Sequence, residues 1–360
     1  MSRPPVPADV PPDLYGRNRP DRLMRFLDRA ARALVPVLAR STGAVPPPRP
    51  APAPRRFLVS ARKEAADDVV ALTLTAADGS PLRRWQPGAH IDLCLPSGRV
   101  RQYSLCGDPA DTGAYRIAVR LIRGGGGGSA EVHDDLALGS SVGVKGPRNA
   151  FPFVAEGPVL LVAGGIGITP LLPMAREAAR RGLDWHLVHT GRTRSSMPFG
   201  HRLADRFPGR VEILPDDEGG VRTATRLLRR AAPGGAVYCC GPTPMLDALR
   251  EAFEASPAAA LHTERFTAPP IRDGRPFTLR LRRSGTTLAV PADRSALDVL
   301  RDHDPATPYS CRQGFCGVCT VRVTDGTVDH RDRRPGERTP GALRVCVSRA
   351  PEGTCLELDL

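Results

Sequence analysis

Between residues 156 and 266, short apolar runs alternate with stretches of helical periodicity. The runs fall at 159–162, 185–189, 211–214, 236–239 and 261–265. The helical stretches start after Thr169 and lie near 198–206, 224–230 and 244–255. Continuous apolar strands separated by helices are the pattern of a parallel sheet covered on both faces, so an α/β parallel-sheet domain is predicted here. Residues 54–155 behave differently. Strands at 69–75, 90–95, 100–105, 115–122 and 141–145 are separated by turn residues, which predicts an antiparallel β domain; a barrel and a sandwich both satisfy the pattern. In 275–360 the pattern gives strands at 277–283 and 286–290, a helix at 296–302, a cysteine-rich loop, and strands near 318–323 and 356–360. That is an α+β unit. The polar segment 267–274, with Pro269 and Pro270, reads as a linker.

Residues 1–53 form an extension. Its two ends are proline-rich. Between them Leu23, Phe26, Leu27, Ala30 and Leu34 repeat at helical spacing, which predicts one amphipathic helix over 21–35, ended by Pro36. Arg22, Arg25, Arg29 and Arg32 line its other side. A peripheral contact with an acidic partner or an anionic membrane surface is one use of such a helix, and a solvated or domain-packed helix is the other.

The chain has 360 residues and a formal charge of +13. Residues 1–56 carry eleven Arg and four Asp, a net of +7, so more than half the excess sits at the N-terminus. The rest has no dense basic block with interleaved aromatics, and nucleic acid is not an expected partner. No apolar run approaches the ~18 residues of a membrane span, and the N-terminus lacks the apolar core of a signal peptide. A cytoplasmic protein is expected, and a monomer. Nine cysteines in that setting point to metal binding or reactive thiols before disulfides.

Four of those cysteines are patterned. Cys311, Cys316 and Cys319 follow C-x4-C-x2-C, with Cys346 further on. This is the plant-type [2Fe–2S] spacing, in which a short loop wraps the cluster and a separate segment brings the fourth thiolate. Gly314 and Gly317 let the backbone approach the sulfurs. A structural zinc site is the competing use, but such sites pair two C-x2-C knuckles and only Cys316–Cys319 has that spacing. Cys355 lies outside the pattern and is expected to be a small buried hydrophobe.

Gly164, Gly165 and Gly167, followed by Thr169 and Pro170, stand at a strand-to-helix turn. Glycines there admit a pyrophosphate to the helix N-terminus, with Thr169 as its cap. Pro170 replaces the last glycine of the ordinary dinucleotide fingerprint, which argues against an ordinary Rossmann dehydrogenase. Past the next strands, Arg192, Thr193 and Arg194 offer phosphate contacts. Asp216 or Asp217 offers an acceptor to a ribose 2′-hydroxyl and repels a 2′-phosphate. In the β domain, Arg101, Tyr103, Ser104 and Leu105 end a strand with a phosphate fork, a ring face and a small donor. The glycine run before Ser129 is either an anion loop or a flexible hairpin tip.

At these motifs a resemblance appears. Residues 275–360 resemble a plant-type ferredoxin with its β-grasp fold. Arg-x-Tyr-Ser-Leu ahead of Gly-Gly-x-Gly-x-Thr-Pro resembles ferredoxin–NADP reductase-like proteins, whose flavin domain is an antiparallel β-barrel. With the ferredoxin last, the order resembles the reductase family of phthalate dioxygenase and vanillate demethylase systems over about 55–360. The resemblance implies that Arg101 and the pair Gly128–Ser129 hold the flavin phosphate. Tyr103 would pack on the flavin ring, and Ser104 would sit near its N5. Cys240, Gly241 and Pro242 would lie beside the nicotinamide, with Ser104 and Cys240 at the site of hydride transfer, and Phe266 would cover the flavin; a core aromatic is the other reading of Phe266. The resemblance implies FMN, with FAD as the alternative, and NADH, with NADPH as the alternative. Electrons would pass through the [2Fe–2S] cluster to a Rieske-type terminal oxygenase or to a cytochrome P450. A redox sensor or scaffold without turnover is the reading from another class.

Overall fold

A computed structural model of the chain describes residues 53–123, 127–266, 271–309, 312–314, 317–332 and 341–360. The helix expected at 21–35, Cys311, Cys316 and the first part of the expected linker lie outside these residues. Contacts divide the described chain into one unit of 53–95 and 103–265 and another of 96–102 and 266–360.

β1 (Arg55–Ala66), β2 (Val69–Ala76), β3 (Ala89–Cys94), β4 (Val100–Ser104), β5 (Tyr115–Arg120) and β6 (Ser141–Asn149) form one sheet in the order β4-β3-β6-β1-β2-β5, which lies in the first unit apart from the start of β4. Alternate residues point inward: Phe57 and Val59, Leu72 and Leu74, Ile91 and Leu93, Ile117 and Val119, Val142 and Val144 make one core. The chain leaving β4 bridges the sheet's two edges. Leu105 N donates to Ala89 O on β3 at 2.8 Å and Cys106 N donates to Arg116 O on β5 at 2.9 Å. The sheet therefore closes as a barrel. β1 escapes the apolar pattern because only Phe57 and Val59 of its twelve residues are buried. A short helix, Gly128–Asp134, follows the glycine run, where helical periodicity gave no signal.

The same unit holds five parallel strands, β7 (Val159–Gly164), β8 (Trp185–Gly191), β9 (Val211–Pro215), β10 (Ala236–Cys240) and β11 (Ala260–Glu264), in the order β11-β10-β7-β8-β9. Both faces are covered, as continuous apolar strands require. On β7, Val159, Leu161 and Ala163 face the helix Ile168–Arg180 through Leu171, Leu172 and Ala175. Leu160 and Val162 face the helix Thr243–Phe253 through Leu246 and Leu249. Each fully buried leucine stabilises this sandwich by about 1.5–3 kcal/mol. Tyr238 of β10 is fully buried between Phe151 and Phe153 and accepts from Val154 N at 3.0 Å, so the end of the barrel is bound to the sheet.

The second unit carries β12 (Phe277–Leu281), β13 (Thr287–Val290), β14 (Thr320–Asp325), β15 (Ala342–Arg344) and β16 (Cys355–Leu358) in the order β13-β12-β16-β14-β15. Only β12 and β16 run parallel. The helix Ala296–His303 buries Leu297, Val299 and Leu300 against them, and Ser295 caps it by accepting from Asp298 N. β15 has three residues, too few to show a period in the sequence. Cys355 is exposed, contrary to expectation. Leu356 and Leu358 take the inward positions of β16, so alternation turns Cys355 outward.

Candidate functional site

The C-terminal ends of β7 and β10 lie side by side, with Cys240 in register with Ala163. This is the edge of a parallel sheet where ligands bind. Two turns leave it, 164–167 and 240–242, packed backbone to backbone. A Cβ at Gly167 would fall 2.2 Å from Cys240 O and 2.9 Å from Gly241 N. At Gly164 it would meet Pro242 Cδ at 2.6 Å, and at Gly241 it would meet Gly164 Cα at 3.0 Å. Three of the motif glycines are thus required by turn-on-turn packing. Gly165 differs: its φ is +54° and a Cβ there would lie 3.1 Å from the Arg120 guanidinium of β5. Arg120 therefore brings a positive charge from the barrel to the glycine turn, and its own sequence context gave no sign of it. Thr169 does not cap the helix. The helix begins at Ile168, so the Thr169 hydroxyl is already inside the first turn and donates back to Ile166 O at 3.0 Å. Pro170 sits in that first turn, where a missing N–H costs nothing.

Two buried side chains flank these turns. His189 of β8 is fully buried, with Nε2 3.0 Å from Gly165 O. Burial pushes its pKa down to about 4, so the ring is neutral and Nε2–H donates to that carbonyl. A neutral imidazole thereby pins the one left-handed residue of the glycine turn. On the other side Glu264 of β11 pairs in register with Cys240. Glu264 keeps part of its surface exposed, but Oε2 is sealed from solvent and has no hydrogen-bond partner. Burial raises this carboxyl from the usual 4.5 to about 8. The Cys240 thiol is pushed well above its usual range by burial, with Glu264 adding to the effect. Both groups are protonated at neutral pH, so Cys240 presents a thiol and no thiolate nucleophile. Cys239 faces the opposite core, among Leu160, Val162 and Leu246.

The raised Glu264 carboxyl has a measurable sign. Between pH 4.5 and 8 the folded chain keeps a proton that the unfolded chain has lost, so stability falls as pH rises through this window and levels off above it. Glu264→Gln removes the titration. The stability of Glu264→Gln relative to wild type, read from Tm, is expected to climb from pH 5 to 8 and then plateau, by at most about 1.4 kcal/mol per pH unit. Parallel Tm–pH curves would show that Glu264 titrates as an ordinary carboxylate.

On the barrel side, Ser104 is buried at the end of β4, Leu105 is fully buried, and Tyr103 is half-buried against the barrel core. The Arg101 guanidinium donates to Val100 O at 3.0 Å. The segment just after Ser104 is tied to the nucleotide sheet by Arg176, whose guanidinium donates to Gly107 O at 2.8 Å and Cys106 O at 3.3 Å. Gly128 and Ser129 open the helix Gly128–Asp134, and Ser129 Oγ accepts from Ile122 N at 3.0 Å, which holds the helix start to the end of β5. Phe266 is 48% exposed, so it is no core aromatic.

At the ends of β8 and β9, Arg192 is exposed and its carbonyl accepts from Asp217 N at 3.1 Å. Thr193 caps the turn Arg194–Ser196. Asp216 Oδ1 accepts from the Thr190 hydroxyl at 3.3 Å. Arg194 binds Glu218 with two donors, Nε to Oε1 at 2.7 Å and a terminal nitrogen to Oε2 at 2.5 Å. Glu218 carries no sequence motif; its only signal is its place in three successive acids directly after a strand.

In the second unit, Thr320 pairs with Arg344 across β14 and β15. Cys319 precedes the one and Cys346 lies two residues past the other, so the ladder brings the cysteine loop to the distant cysteine. Val345 N donates to Cys319 O at 3.3 Å, and both thiols are buried and outside any disulfide. Gly314 and Gly317 have φ of +81° and +75°, a loop conformation that side chains resist. Buried Arg344 donates to Gly314 O at 2.7 Å and holds that loop from behind. A buried thiol at the end of a glycine-turned loop, with a second brought near by the β14–β15 ladder, suits an iron–sulfur cluster.

A barrel, a parallel nucleotide sheet and a cysteine-loop domain in this order define a flavin- and iron–sulfur-dependent oxidoreductase. Residues 57–153 match the oxidoreductase FAD-binding domain family, and residues 279–351 match the 2Fe-2S iron-sulfur cluster binding domain family. Phthalate dioxygenase reductase of Burkholderia cepacia is 37% identical over 313 residues, 85% of this chain and 97% of that one. A solved phthalate dioxygenase reductase, described as a modular structure for electron transfer from pyridine nucleotides to [2Fe-2S], superposes with a TM-score of 0.65 over the same shares. An intact type IV self-sufficient cytochrome P450 monooxygenase matches 92% of this chain at 38% identity and a TM-score of 0.68, and the chain spans 44% of that protein's length. The chain belongs to the phthalate dioxygenase reductase family. It is an oxidoreductase of the kind that serves as the reductase component of oxygenase systems. No helix among the described residues is long and apolar enough to cross a membrane.

Proposed function

We propose that this chain draws electrons from NADH through FMN and its [2Fe–2S] cluster to a Rieske-type terminal oxygenase in the cytoplasm, and acts as a monomer. The observation that carries the first half is the junction inside the first unit. Arg120 of the barrel reaches the glycine turn of β7, and Arg176, about two turns along the helix that follows, holds the chain just after Ser104, so the barrel is joined to the nucleotide domain at both points. When bound, flavin takes two electrons at once and releases them singly, which matches a nicotinamide donor to a one-electron cluster.

The residues divide the work. Arg101, with Gly128 and Ser129, binds the flavin phosphate; Tyr103 and Phe266 offer ring faces; Leu105 backs the site from the core; and the Ser104 hydroxyl donates near the reactive nitrogen. Gly164, Gly165 and Gly167, with Thr169 and Pro170, receive the dinucleotide pyrophosphate, and Cys240, Gly241 and Pro242 line the nicotinamide pocket. Asp216 and Arg192 take the adenosine end, where an acid favours a free 2′-hydroxyl and hence NADH. Cys311, Cys316, Cys319 and Cys346 ligate the cluster. The division into 54–155, 156–266 and 275–360, with 1–53 as extension and 267–274 as linker, goes with these roles.

The matched flavin family is described by FAD, whereas FMN follows from the resemblance to the ferredoxin-last reductases. Flavin released by heat and resolved by chromatography separates the two: FMN is expected, and recovered FAD would overturn it. One observation favours a cytochrome P450 as the acceptor. The self-sufficient P450 matches 92% of this chain, against 85% for phthalate dioxygenase reductase.

A further inference from the structure

We propose that the Arg194–Glu218 ion pair selects NADH, by withholding the Arg194 guanidinium from the 2′-phosphate that distinguishes NADPH. This deepens the nucleotide reading above and rests on it. β8 and β9 are parallel neighbours, with Gly191 in register with Pro215, so the turns Arg194–Ser196 and Asp216–Glu218 leave the sheet at the same edge. The bond from Asp217 N to Arg192 O ties the two turns together. On that edge Arg194 meets both Glu218 oxygens at 2.7 and 2.5 Å. A guanidinium grips a phosphate with the same planar fork that it uses on a carboxylate, so Glu218 occupies the phosphate's place. Asp216 and Asp217 stand in the same turn, so three carboxylates lie within one short turn and oppose an incoming dianion. Asp216, steadied by Thr190, is an acceptor suited to a ribose hydroxyl.

The pair is about half exposed, at 44% for Arg194 and 47% for Glu218, so its contribution to folding is small. Replacing Glu218 therefore changes the site with little risk to the fold. It removes one repelling charge and frees the fork. Arg192 is the second exposed guanidinium on this edge and the natural rival for the phosphate.

The test uses the flavin- and cluster-loaded full chain and reads kcat/KM for NADH and for NADPH with ferricyanide as acceptor. Wild type favours NADH. Glu218→Gln raises the NADPH:NADH ratio of kcat/KM by about tenfold or more, and the double variant Arg194→Ala/Glu218→Gln returns it to within about twofold of wild type. An NADH-preferring wild type whose ratio ignores Glu218→Gln refutes the pair and leaves the nucleotide reading standing. A gain that survives Arg194→Ala gives the phosphate to another guanidinium of this edge, Arg192 or Arg222, and also refutes the pair. A wild type that prefers NADPH refutes the NADH reading itself, and the pair's role with it.

Discussion

Cys346→Ser is expected to stop electron delivery to a protein acceptor while flavin reduction by NADH continues. Cys346 is buried beside the β14–β15 ladder and is the distant member of the four-cysteine set. A cluster needs four thiolates, and a serine hydroxyl is a poor substitute for a soft sulfur ligand. The glycine turns and all of the barrel but 96–102 belong to the other unit, so most of the flavin side keeps its structure. Reduction of cytochrome c or of a purified oxygenase should fall on the order of 100-fold or more, while ferricyanide reduction, which draws on the flavin directly, changes little. Visible and EPR spectra of the variant would lack the cluster signal. Equal loss of both activities would mean that Cys346 supports the whole fold; loss of neither would remove it from the ligand set.

Gly167→Ala carries the second large effect. Gly167 has an ordinary helical φ of −60°, so alanine brings no backbone strain of its own. The obstacle is the neighbouring chain. The new Cβ would lie 2.2 Å from Cys240 O and 2.6 Å from its carbonyl carbon. Contact distance is about 3.5 Å, so the 164–167 and 240–242 turns must separate by roughly 1 Å. Misplacement of that size costs about 100-fold in a step that depends on alignment. The expected result is a fall of that order in the rate of flavin reduction by NADH in stopped flow, with the bound flavin and the cluster spectrum retained. A rate within about twofold of wild type would show that the two turns do not set the nucleotide geometry.

The sequence made the architecture legible wherever burial imposes a period. β7 is buried on both faces and reads as an unbroken apolar run, and β16 shows its inward residues by alternation. β1 was hidden because ten of its twelve residues are not buried, and β15 because three residues cannot display a period. The cysteine loop was legible because ligand spacing is written in the sequence. The rest of the site depends on pairs distant in the chain. Gly165 needs Arg120 and His189, Gly167 needs Cys240, and Arg194 needs Glu218; no local pattern announces such partners. Thr169 shows the converse error. A threonine near a helix start suggested a cap, but the helix begins one residue earlier and the hydroxyl turns back to Ile166.

In this reductase one chain links a nicotinamide donor to its own iron–sulfur cluster. Anaerobic titration of the purified protein with NADH, followed by visible absorbance and by EPR, tests it most directly. The flavin band is expected to bleach first, and the EPR signal of a reduced [2Fe–2S] cluster then to grow in, approaching one cluster per chain. A flavin that bleaches beside a cluster that stays oxidised, or a protein that carries zinc in place of iron, would contradict it.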